Sequence, residues 1–146
     1  MSAAVPGKPK NPHGARSSGR ELALKFLYSA DLSGHAGEED FDLFVNQAKD
    51  RGRVVDFARQ LVRGVVTRRA ELDAHILKLA KNWTIKRMAV VDRNVLRLGI
   101  YELLFGDSPD LVVINEAVEI AKKFGSAQSG AFVNGILDQV RRRKDQ

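Results

Sequence analysis

Between Val112 and Val140 the chain reads VVINEAVEIAKKFGSAQSGAFVNGILDQV, an apolar helical pattern interrupted at two places. Asn115-Glu116 and Asn134-Gly135 stand where that pattern calls for bulk. The chemistry open to such pairs is hydrogen bonding at close quarters. An Asn amide donates and accepts, a carboxylate accepts, and a glycine lets a neighbour approach the backbone. In the first turn of a helix, Asn115 and Glu116 would take up free backbone N–H groups. Asn134 and Gly135 would let two helices come close and bond across the gap. On this reading all four are locks between helices, because buried polar groups are normally hydrogen-bonded parts of a structure.

A second chemistry belongs to the chain ends. The net charge is +6, and residues 1–25 hold Lys8, Lys10, Arg16, Arg20 and Lys25 against Glu21 alone. The last six residues hold Arg141, Arg142, Arg143 and Lys144 against Asp145, which leaves the body near neutral. Two basic ends on a near-neutral globule suit a polyanion such as nucleic acid. Solubility tails are the plainer alternative. Arg16 and Arg20 lie four apart and share one face if a helix starts early enough. The C-terminal run also suits a solvated helix end, where the macrodipole favours cations.

Acid–base, nucleophilic and metal chemistry find little support. With no Cys in 146 residues, disulfides, thiolate ligands and Cys nucleophiles are excluded. His13, His35 and His75 have no ligand spacing, and there is no Gly-rich phosphate loop or nucleophile elbow. No catalytic residue, metal or cofactor is expected. No apolar run approaches the roughly 20 residues that span a bilayer, and the N-terminus lacks a signal-peptide segment, so a soluble cytoplasmic protein is expected.

The elements that must position these residues are helical throughout. Pro6, Pro9 and Pro12 with Gly7 and Gly14 predict a disordered arm over residues 1–16, followed by one folded domain over 17–146. Ser17 or Ser18 can cap a first helix that carries Leu22, Leu24, Phe26 and Leu27 and ends near Gly34. A second opens on Glu38-Glu39-Asp40, a third follows Val54 to Val65, and a fourth follows Leu72 to Ala80 and closes at Asn82. Thr84 is expected to cap a fifth running to Phe105, stopped by Gly106. After the turn GDSPD, a sixth covers about 113–124 and a seventh starts near Gln128. No segment sustains period-two alternation, so no sheet is expected.

Four blocks occur in this order: RELALKFLYSADL, NWTIKRMAVVDRNVLRLGIYELL, PDLVVINEAVEIAKKFG and FVNGILD. Together, over roughly residues 16–140, they resemble the NusB family of bacterial transcription antitermination factors. The resemblance implies an all-α fold of seven helices, as two three-helix bundles packed across each other. It implies binding of boxA-type single-stranded RNA from ribosomal leaders or precursors, and a heterodimer with the small-subunit ribosomal protein NusE. That pair would load onto the transcription elongation complex and suppress premature termination. Two alternatives stay open. The same module precedes the catalytic domain of some ribosomal RNA methyltransferases, and it can also serve as a stand-alone interaction module or homodimer.

The resemblance makes the linker FGSAQSGAF an RNA-facing edge. Lys122, Phe124, Gln128 and Phe132 are then expected contacts, with bases stacked on the two rings and phosphates held by basic groups. Asn115, Glu116, Asn134 and Gly135 would be the scaffold shaping that edge. Arg16 and Arg20 are expected to join it, although RSSGR is thinner than the family's Arg cluster and would displace fewer counterions. Tyr28 and Asp92 match positions near the ribosomal-protein interface. As residues alone they read as a half-buried tyrosine and a capping or i,i+4 carboxylate. Trp83 is expected to fill space between the bundles.

Overall fold

The computed structural model describes residues 14–144, so Lys8, Lys10, His13 and the arm's prolines lie outside the described residues. Seven helices run in order: α1 Gly14–Ser33, α2 Glu38–Asn46, α3 Arg53–Thr67, α4 Arg69–Leu79, α5 Val90–Phe105, α6 Asp110–Phe124 and α7 Ser129–Lys144. A single 3-10 turn at Ile85–Arg87 precedes α5, and there is no strand among the described residues. The all-α expectation holds. No helix among the described residues is long and apolar enough to cross a membrane.

Each helix buries the stripe its sequence period announces. In the first bundle α1 packs along α3, with Leu22, Ala23, Phe26 and Leu27 meeting Ala58, Leu61, Val62 and Val65 in one core. The short α2 lays Phe41 and Phe44 edge-on against Phe26, at centroid distances of 5.3 and 5.5 Å. In the second bundle α5, α6 and α7 pack mutually through residues such as Val95, Ile114 and Leu137. The α5 helix is buried on every face from Asn94 to Ile100, because it also touches α1, α3 and α4 and so joins the two bundles. Gly64 of α3 makes this crossing possible. A Cβ there would collide with the Tyr101 ring of α5.

A helix buried all round can carry polar groups only if each finds a partner. Arg97, 1% exposed, donates to Asp73 at 2.7 and 3.1 Å and to Asp31 at 3.1 Å. Arg93 makes a bidentate bond to Asp31 at 2.7 and 3.0 Å, and the Asn94 amide donates to the same carboxylate. Burial alone would raise the Asp31 pKa, but Arg93, Asn94 and Arg97 together hold it down at about 2. One carboxylate thus clamps the end of α1 to the first turns of α5.

Three boundaries differ from expectation. The α1 helix includes Gly14, so residues 14–16 belong to the folded part, not to the arm. Ser17 is inside the helix, where its hydroxyl donates to Glu116 and does not cap. The α5 helix starts at Val90 after an Ala89 cap, not after a Thr84 cap, because Met88 is drawn into the core on extended backbone (φ −73°, ψ 148°), which ends the 3-10 turn. The α6 helix starts at Asp110, three residues early, with the Val113 N–H bonded to the Pro109 carbonyl.

Candidate nucleic-acid interface

The turn between α6 and α7 is built from small residues for steric reasons. Phe124 ends α6, and the Gly125 N–H closes on the Ala121 carbonyl at 2.8 Å. A Cβ on Gly125 would strike the Ser129 side chain and the Ala121 carbonyl, so no larger residue fits without shifting the turn. The Ser126 N–H donates to Ser129 Oγ at 2.9 Å, which opens α7 with a side-chain bond to a backbone N–H ahead of its first turn. The result is a sharp, rigid turn with Phe124 and Phe132 on either side.

Phe124 is half-buried and carries two cations. The Lys25 and Lys123 ammonium groups lie 5.7 and 5.4 Å from its ring centroid. Lys123 also reaches Glu21 at 3.0 Å, and Lys122 lies 3.7 Å from Glu119. These are exposed pairs, weak in water and able to exchange a carboxylate for a phosphate. The sequence pattern does not single out Lys25 for this edge, since only the fold brings its helix beside Phe124.

On the other side of the turn, Phe132 meets Trp83 edge to face, with centroids 6.3 Å apart. The two rings border a cleft of about 520 Å³ whose wall also includes Arg87, Asp92, Ser126 and Gln128, with Met88 and Ala89. Gln128 and Phe132 are thus together, as the RNA-edge reading needs. Asp92, expected at a protein interface, opens on this same cleft. Trp83 departs from expectation. It is 47% exposed and faces the cleft, because α5 starts five residues later than its pattern suggested and leaves Trp83 on the connecting segment. Arg87 was missed in the sequence, where the exposed Lys86-Arg87 pair before α5 was the available signal.

Arg20 is not a surface cation. It is 4% exposed and binds Glu102 through two bonds, at 2.7 and 2.9 Å, with Ser108 at 3.0 Å and Glu116 at 3.3 Å. Burial opposes its charge, but Glu102 and Glu116 more than offset that, so its pKa stands above the usual arginine value. Four of its five N–H donors are taken by α5, α6 and the turn between them, and the group is buried, which does not fit the surface role in RNA binding expected of it. Arg16 remains about half exposed, paired with Asp107 at 2.9 Å and lying over the Phe57 ring at 4.6 Å. Of the C-terminal run, Arg141 and Arg142 both bind Asp138, and Lys144 binds Asp110.

The opening motifs divide. Glu116 lies in the second turn of α6, not the first, and serves as the acceptor for Ser17 and Arg20 that ties α6 to α1. Asn115, its neighbour, is exposed and makes no side-chain hydrogen bond among the described residues. Asn134 and Gly135 are also exposed, and a Cβ on Gly135 would meet open space. The lock expected of Asn115, Asn134 and Gly135 is therefore absent. Their positions on the two helices point outward, a register that apolar spacing alone did not resolve. Tyr28 is 40% exposed on α1, with Leu32 one turn on at 62%.

Fold and edge together define an all-helical binding protein that presents cations and aromatic rings around one tight turn. Residues 17–142 match the NusB family model, and the chain belongs to the NusB family. It is 49% identical over 131 residues to the transcription antitermination protein NusB of Geobacter sulfurreducens, covering 87% of this chain and 94% of that one. Among solved structures it is similar to T. maritima NusB, with a TM-score of 0.79, 36% identity, and coverage of 92% and 93%. It is also similar to a chain from the crystal structure of antitermination factors NusB and NusE in complex with dsRNA. There the TM-score is 0.81 at 31% identity, covering 88% of this chain and 97% of that one.

Proposed function

We propose that this chain is a cytoplasmic transcription antitermination factor that binds boxA-type single-stranded RNA together with the small-subunit ribosomal protein NusE. The observation that carries the reading is the α6–α7 turn, where Phe124 bears Lys25 and Lys123 and Phe132 borders a largely apolar cleft with Arg87 and Gln128 on its wall, in a chain of the NusB family. Exposed lysines track phosphates without regard to sequence, and ring faces accept unpaired bases. Lys122, Phe124, Gln128 and Phe132 form the RNA edge, with Arg16 as an outlying contact. The ribosomal protein covers the Tyr28 side of α1, where Tyr28 and Leu32 leave an apolar strip unburied. The complex then acts on the transcription elongation complex against premature termination.

Fluorescence anisotropy with a labelled boxA-type strand, with and without NusE, tests this. Affinity should rise when NusE is added, and an unlabelled RNA duplex should compete less well than the unlabelled single strand. Replacing Lys25, Lys122 and Lys123 by Ala should flatten the plot of log K against log salt by about 0.7 for each phosphate no longer neutralised. An unchanged slope in the triple variant, or no RNA binding with NusE present, overturns the proposal.

A further inference from the structure

The second half of α4, the end of α5 and the last turns of α7 enclose a small cleft of about 140 Å³. Leu79, Leu104 and Val140 supply its apolar surface, and His75, Lys78, Arg143 and Lys144 stand around it. No carboxylate lines it. Cations nearby are matched within the chain. Arg141 and Arg142 both bind Asp138, while Lys144 binds Asp110 and donates to the Leu103 carbonyl at the end of α5. His75, Lys78 and Arg143 form no hydrogen bond or ion pair among the described residues. The macrodipole favours cations at the ends of α4 and α7. It does not require a half-open aliphatic floor between them. Leu77 and Phe105, next in sequence to Lys78 and Leu104, are exposed as well.

We infer that this cleft docks an acidic segment of a protein partner, with one aliphatic side chain seated on Leu79, Leu104 and Val140 and carboxylates on Lys78 and Arg143. Charge complementarity selects the occupant. Unmatched cations with no carboxylate among them attract an acidic chain, and Arg143 can grip a carboxylate through two parallel bonds. The floor then decides between an acidic peptide and RNA. A strand of RNA brings flat bases that stack on rings, and no ring lines this cleft. An aliphatic side chain buries against Leu79, Leu104 and Val140 and leaves water by doing so. The cleft also lies at the far end of α7 from the RNA edge. Arg143 is 14 residues beyond Ser129, so the two are about 20 Å apart along the helix axis. That is well beyond the Debye length of about 8 Å at physiological salt. An acidic partner here leaves the α6–α7 turn free.

The test titrates the full chain with a blocked synthetic peptide, a leucine flanked on each side by two glutamates, up to millimolar concentration. Methyl NMR signals of Leu79, Leu104 and Val140 should shift and saturate. Replacing the peptide's leucine by alanine should weaken binding by about tenfold, since several apolar carbons no longer leave water. Lys78→Glu combined with Arg143→Glu should fold normally, because both side chains are exposed, and should weaken the leucine peptide by about fivefold or more. Lys78→Gln with Arg143→Gln should weaken it less. The reversed variant should keep the native affinity for boxA-type RNA in the presence of NusE. Absence of shifts at the three methyl-bearing residues, equal binding of the leucine and alanine peptides, or undiminished binding by the reversed variant overturns the inference. So does a matching loss of RNA affinity in that variant, or oligouridylate shifting the same methyl signals where the peptide does not, because the cleft would then belong to the RNA surface.

Discussion

Arg20 and Lys25 lie five residues apart on α1 and have opposite fates. Arg20 is sealed between α5 and α6, with Glu102, Glu116 and Ser108 on its donors. Lys25 is exposed and rests over the Phe124 ring. The carboxylates divide the same way at the start of α5. Asp31 has three donor residues around it, and Asp92 has none among the described residues. Charges in the interior are matched within the chain, where they hold helices in register. Charges along the α6–α7 edge and its cleft are matched loosely or not at all, and those are the ones a ligand can recruit.

The largest effect is expected at Arg20. Replacing Arg20 by Ala strands Glu102 in the core, and breaking a buried pair by removing one partner costs about 3–5 kcal/mol. Denaturant unfolding should show that loss. Lys25→Ala should stay within about 0.5 kcal/mol of the native stability and weaken RNA binding instead. Normal folding of Arg20→Ala with loss of RNA affinity would return Arg20 to the surface role its sequence position suggested.

Spacing alone favours that surface role, and its failure shows where sequence reasoning stops. The seven helices were legible because apolar period and the breakers Gly34, Gly106 and Gly125 are local signals. The turn with Phe124, Gln128 and Phe132 was legible because its residues are contiguous. Arg20's partners lie on α5 and α6 and in the turn between them, more than 80 residues away, and no local pattern announces a pair of that span. The cleft was hidden for the same reason. It joins the segment before α5 to the turn before α7, and its Trp83 wall depends on α5 starting at Val90.

Phe132 sharpens the boundary between the two regions, because it belongs to both. One side of the ring packs on the core and the other borders the cleft beside Trp83. Phe132→Ala should therefore lose about 1–3 kcal/mol of RNA binding through stacking. It should also lower the melting temperature, by less than a fully buried Phe would. Measuring both on one variant decides the matter. A melting temperature that falls while RNA affinity holds would make the ring core alone.

Acid separates the matched carboxylate from the exposed ones. Burial raises the Asp31 pKa, but Arg93, Asn94 and Arg97 outweigh it and hold the group at about 2 against an ordinary 3.8. A carboxylate whose pKa is lower in the folded state adds stability above its unfolded pKa and loses it as pH falls through the folded one. Stability should accordingly drop between about pH 4 and pH 2, by at most about 2 kcal/mol from this group. Melting curves of the native protein and Asp31→Asn over that window test the assignment. The variant should start less stable and show a shallower slope, and parallel curves would mean that Asp31 contributes no such stability.

The smallest effect is expected where the structure asks nothing of the chain. Gly135 lies inside α7 with open space beyond its Cα, and its backbone is not in the left-handed region that favours glycine. A glycine inside a helix costs about 1 kcal/mol relative to alanine, because it gives up more backbone freedom on folding. No neighbour within the described residues offsets that cost, in contrast with Gly64 and Gly125, where a side chain has nowhere to go. Gly135→Ala should thus raise stability by about 0.5–1 kcal/mol, read as a higher denaturation midpoint with an unchanged slope. Gly64→Ala, forced against Tyr101, should move the midpoint the other way. If Gly135→Ala proves destabilising, α7 packs differently from the arrangement described, and the division between matched interior and recruitable edge must be redrawn at that helix.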